Sequence, residues 1–144
     1  MNFSELLEPR KGVSIEEVQK LQEMARQRFP SLLKEKGLVL RKAERPIPSR
    51  GNFVTIGIAA GYSLDELRLL DELSAALQGE KEDTVEIFDV SALKSMEEFQ
   101  AFIPGIASAY QTPVVGLWVH GNLRERKTGY AASEFLRSRY LKSL

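Results

Sequence analysis

The chain has 144 residues and no cysteine. Its nucleophiles are therefore hydroxyls and amines, its acids are carboxylates, and its one imidazole is His120. Without a thiolate there is no thiol–disulfide exchange, thiolate zinc site, iron–sulfur cluster or cysteine nucleophile. A serine nucleophile would need His120 beside a hydroxyl and a carboxylate. His120-Gly121-Asn122 reads instead as a tight turn behind an apolar strand, which accounts for the histidine without catalysis. A single histidine also argues against zinc, because carboxylates alone favour harder ions. Glu80, Glu82 and Asp83 crowd one polar turn without the spacing of a calcium loop, and are read as solvated. Gly57 and Gly61 lack both the Gly-x-Gly-x-x-Gly spacing and a Gly-Lys-Ser/Thr ending of a nucleotide loop. Gly57 is read as a position that lets a helix pack closely on its strand. These residues give no catalytic group, no metal ligand and no cofactor site.

Two short segments have the chemistry of a binding surface. Ala60-Gly61-Tyr62-Ser63 lies between an apolar run and a helical pattern. Ser63-Leu64-Asp65-Glu66 is a capping box, which accounts for Ser63 in full. The free N–H groups of a helix start also favour an anion. Tyr62 is a large aromatic on a turn that folding does not require, and is read as a binding anchor. Thr112-Pro113 precedes a second apolar run. X-Pro is where cis peptides occur, although a proline can also simply begin a strand.

The elements that position these segments follow from periodicity. Ser14 and Glu17 form a capping box for a helix carrying Val18, Leu21, Ala25 and Phe29. Pro30 is predicted to end or restart that helix, with Ser31 to Lys36 as a second short piece. Leu38 to Leu40 is a short strand candidate, and residues 43–52 form a Pro- and Gly-containing linker. Phe53 to Ala59 is a buried strand, followed by a helix from Ser63 to Gly79 with Leu67, Leu70, Leu73 and Leu77 on one face. Thr84 to Val90 is a second strand. Ser95 caps a helix leading to Phe99, Phe102 and Ile103, which Pro104-Gly105 breaks, and a further turn extends toward Tyr110. Val114 to Val119 is a third strand and Leu123 to Thr128 an exposed edge strand, ended by Gly129. Residues 131–143 form the last helix, with Leu136, Tyr140 and Leu144 on one face. The first two strands are predicted to be parallel and the last two antiparallel.

Composition excludes further classes. The chain is 43% hydrophobic and 28% charged, with 20 basic and 20 acidic residues, so no net field draws nucleic acid or acidic lipid. Arg41, Lys42, Arg45 and Arg50, and Arg124, Arg126 and Lys127, are read as solvated loop charge and edge protection. They lack the aromatic interleaving of a single-strand nucleic-acid surface. Met1 to Glu8 has no signal-peptide pattern, and no run approaches the ~20 apolar residues of a membrane span. A cytoplasmic protein is expected.

The order β-α-β-α-β-β-α from residue 53, with Leu70-Asp71-Glu72 in its first helix and Thr112-Pro113 before its third strand, resembles the thioredoxin-like superfamily. The resemblance covers residues 53–144. It implies a three-layer α/β sandwich with a central mixed sheet, to which residues 1–52 add a helical extension and linker. It places Ala60 and Ser63 at the family's two cysteine positions, Ala59 where the family usually has Trp, and Val54 where many members keep a buried acid. Thr112-Pro113 is similar to the family's cis-proline dipeptide. The stretch from Ser91 to Gln111 is longer than usual in the family. The resemblance implies a redox-inactive protein that holds another protein or an extended peptide in a groove formed by Ala60, Gly61, Tyr62, Ser63, Thr112 and Pro113. One alternative it implies is a glutathione-dependent enzyme using Ser63 or Tyr62. Another is a regulatory module like the thioredoxin-fold adaptor of circadian clocks.

Overall fold

Alternation along the first strand sorts its side chains into two sets, and the whole sheet is built on that division. The computed structural model describes residues 12, 14–106 and 110–141, with main chain only at 22 and 26. The sequence expectations for residues 1–11, 13, 107–109 and 142–144 lie outside these. Strand β1 (Asn52–Ile58) pairs in parallel with β2 (Asp83–Asp89) and antiparallel with β3 (Val114–Val119), which pairs antiparallel with β4 (Asn122–Thr128). The open four-stranded sheet runs β2-β1-β3-β4, so β1 and β3 are central. Val54, Ile56 and Ile58 face one layer with Ile87, Val115 and Leu117. Phe53, Phe88, Val114 and Trp118 face the other.

Helices cover both faces. On the first lie α1 (Ile15–Glu35), α2 (Leu64–Gln78) and α4 (Gly129–Tyr140), burying Phe29 and Leu32, Leu67 and Leu70, and Ala132 and Leu136. On the second, α3 (Met96–Gln100) and the turns after it bury Phe99, Phe102 and Ile103, with Phe88 and Phe102 stacked at 4.3 Å between ring centroids. The N-terminal extension thus contributes to the core itself. All three predicted capping serines act as such: Ser14, Ser63 and Ser95 accept from the N–H groups of Glu17, Glu66 and Glu98.

Four expectations need correction. Helix α1 runs through Pro30 to Glu35 rather than stopping. A helix-interior proline costs about 3 kcal/mol, and here burial of Phe29, Leu32 and Leu33 on either side of it offsets that cost. Leu38 to Leu40 forms a single parallel rung rather than a strand: Leu40 bridges Ile87, Arg41 N–H donates to Ile87 O and Ile87 N–H to Val39 O. Helix α4 starts at Gly129, not residue 131. Gly129 has φ +60 and donates its N–H to both Gln111 O and Pro113 O, a geometry that favours glycine. Gly57 does not make room for a helix. A Cβ there would meet the Phe88 ring at 2.5 Å and Val114 Cγ2 at 2.6 Å, so the glycine lets two neighbouring strands' side chains close over β1.

Two charged groups also depart from the expected solvation. Asp83 is buried at the start of β2, accepting from Arg139 Nε at 2.6 Å, Tyr140 Oη at 2.8 Å and Asn52 Nδ2 at 3.2 Å. Arg41 is buried at 4% exposure, its Nη1 donating to Lys42 O and Arg45 O. No helix among the described residues is long and apolar enough to cross a membrane.

Candidate functional site

Strand β1 ends at Ile58, and residues 59–63 turn the chain into α2. Each N–H of that turn has a partner. Ala59 donates to Glu66 Oε1 at 2.9 Å, Ala60 to Asp89 Oδ1 at 3.2 Å and Gly61 to Ser91 Oγ at 3.1 Å. Tyr62 and Ser63 both donate to Ala59 O. Ser91 Oγ donates in turn to Asp89 Oδ1, so the end of β2 braces the loop. The N–H groups of residues 59–63 and of Glu66, which Ser63 Oγ caps, are therefore engaged, and Asp65, Glu66 and Asp89 surround the turn with negative charge. The arrangement does not suit an anion.

The antiparallel register of β1 and β3, with Gly57 opposite Val114, brings residues 112–113 to the same end of the sheet as residues 59–63. The Thr112–Pro113 peptide is cis. Glu66 ties the two segments together: its Oε1 holds Ala59 N–H and its Oε2 accepts from Thr112 Oγ1 at 2.7 Å. A buried carboxylate with two charge-assisted hydrogen bonds is a firm strut. Sequence reasoning assigned Glu66 only to the capping box, because nothing local marks a partner 46 residues away.

Ser63, Glu66, Thr112, Pro113, Tyr130 and Arg137 line an open cleft of about 320 Å³ at this end. Of the six residues predicted for the groove, Ser63, Thr112 and Pro113 line it. Ala60 and Gly61 are buried within the turn, and Tyr62 stands beside Ser63 with 72% exposure. Sequence reasoning missed Tyr130, which lines the cleft with 77% exposure. The argument that singled out Tyr62, a large aromatic that packing does not need, applies equally to it. Among the described residues, Thr112 makes no main-chain hydrogen bond, while Gln111 and Pro113 on either side both accept from Gly129.

His120 lies at the far end of β3. It has φ 50, its N–H donates to Gly51 O, and its Nδ1 accepts from Gly51 N–H at 3.3 Å. Among the described residues, no three acidic or histidine side chains group closely enough to hold a metal ion. Comparison of the chain with protein-family models, curated proteins and solved structures finds no match.

Proposed function

We propose that this is a thioredoxin-like, redox-inactive protein that binds an extended polypeptide in the cleft between the 60–63 turn and Thr112-Pro113. The observation that carries the reading is the meeting of those two segments at one end of the sheet, held by Glu66 and flanked by exposed Tyr62 and Tyr130. The element order β1-α2-β2-α3-β3-β4-α4, with its parallel and antiparallel pairs, is the order the resemblance implies. The main-chain groups of Thr112 suit pairing with an added strand, in which main-chain hydrogen bonds give an extended peptide its affinity. Exposed tyrosines are the kind of rigid amphipathic anchor that carries binding energy. The groove acts as an adaptor, chaperone or assembly surface.

The glutathione-dependent alternative has less support. The turn's N–H groups are already paired, and Ser63 Oγ accepts the cap bond from Glu66 N–H. The β3–β4 hairpin favours the ordinary thioredoxin topology over the clock-adaptor reading.

Selection from a display library of unstructured peptides tests the proposal. Selected peptides should bind the wild type and lose about tenfold in affinity on Tyr62→Ala or Tyr130→Ala. Peptides that bind wild type and both variants equally would contradict it. Insulin reduction should not exceed buffer, because the chain has no cysteine.

A further inference from the structure

The two walls of the cleft come from distant parts of the chain, and Glu66 is bonded to both. On one side its Oε1 holds Ala59 N–H at 2.9 Å, while Ala59 O takes the N–H groups of Tyr62 and Ser63. The N–H of Glu66 is itself capped by Ser63 Oγ at 3.4 Å, so its main chain and side chain grip the same turn. On the other side Oε2 accepts from Thr112 Oγ1 at 2.7 Å, across 46 residues of sequence. Both oxygens are engaged and the residue is 8% exposed, which leaves little of the carboxylate for an incoming peptide.

Thr112 depends on that bond more than its neighbours depend on theirs. Gln111 O and Pro113 O each accept from Gly129 N–H, while Thr112 makes no main-chain hydrogen bond among the described residues. Its polar tether is Oγ1. A β-branched side chain is stiff about χ1, so fixing Oγ1 fixes the direction of the main chain that carries it. A hydrogen bond to a carboxylate is stronger than a neutral one, and burial strengthens it further.

We infer that Glu66 is a positioning residue for peptide binding. Through Thr112 Oγ1 it sets the Thr112 main chain for an added strand, in fixed relation to the 59–63 turn. A peptide then meets two walls already aligned, which lowers the ordering cost of association. The inference rests on the peptide-binding reading of the cleft, and adds a residue on which affinity depends without contact.

Thr112→Val and Thr112→Ser test it, with peptides selected on the wild type and a temperature at which every variant is folded. Val keeps the β-branch and the main chain but lacks the hydroxyl, and should weaken binding about tenfold. Ser keeps the hydroxyl and should recover most of that loss. Glu66→Met, of similar length but without the acceptors, should also weaken binding about tenfold. Adding Thr112→Val to it should cost less than about a further twofold, because both act through one bond. In amide NMR spectra of the free protein, Thr112→Val should shift resonances of residues 59–63, and should leave them in place in the Glu66→Met background. Should Glu66→Met fail to fold, Thr112→Val against Thr112→Ser decides. A role confined to stability predicts that folded Thr112→Val binds like the wild type. That result, or losses that multiply in the double variant, overturns the inference and leaves the cleft as a binding site. If no peptide selected on the wild type shifts the cleft residues, the peptide reading falls, and this inference with it.

Discussion

Glu66 serves two distant parts of the chain with one carboxylate. Replacing it by Ala leaves Ala59 N–H and Thr112 Oγ1 without their acceptor, so Glu66→Ala should cost about 2–3 kcal/mol in urea unfolding. Glu66→Gln keeps an acceptor oxygen and should cost less. Gly57→Ala makes an opposite test, adding an atom where none fits. With Phe88 2.5 Å and Val114 2.6 Å from the new Cβ, it should destabilise by about 2–3 kcal/mol by the same measurement. At this scale the sequence was partly legible. The capping serines were readable because their partners lie three residues away. Glu66, Asp83 and Arg41 were misread or half-read because their partners come from distant segments, and charge alone does not disclose burial.

Among the elements, β3 has the bounds that its apolar run predicts, and β1 and β2 differ from expectation by about a residue at their ends. Strands buried on both faces announce themselves as continuous apolar runs. Helix α1 was harder, because Pro30 is a local stop signal and the burial that overrides it belongs to the tertiary structure. If that packing carries the helix through the proline, Phe29→Ala should cost about 3–5 kcal/mol. It should also reduce helical circular dichroism by more than one residue's share. A loss below about 1 kcal/mol would mean that α1 is a loosely attached appendage. Tyr130 escaped notice because the predicted helix began after it, leaving its exposure on the cleft unseen.

For the molecule as a whole, Asp83 joins the start of β2 to the end of α4. Burial pushes its pKa up, but hydrogen bonds from Arg139, Tyr140 and Asn52, with the Arg139 charge, outweigh that and hold it below 3.8. The same contacts raise the pKa of Arg139, while burial and then the bond to Asp83 raise that of Tyr140. A carboxylate depressed in the folded state binds protons more readily when unfolded. Its stabilisation is therefore complete above about pH 3.9, the unfolded value, and is lost as pH falls from there through the lower folded value. Asp83→Asn should lower stability at neutral pH by about 2–3 kcal/mol and flatten the acid limb of the stability–pH curve. An unchanged acid limb would place the linkage in other carboxylates.

The global topology was the most legible feature, since the order of strands and helices and the length of each connection leave few ways to assemble the sheet. What the topology does for function rests on the cleft. The most direct test is an amide NMR titration of the protein with a selected extended peptide. The account predicts saturable shifts concentrated at residues 59–66, 111–113 and 129–133, with Thr112 among the largest. Saturable shifts centred on any other face, with those residues unmoved, would contradict it.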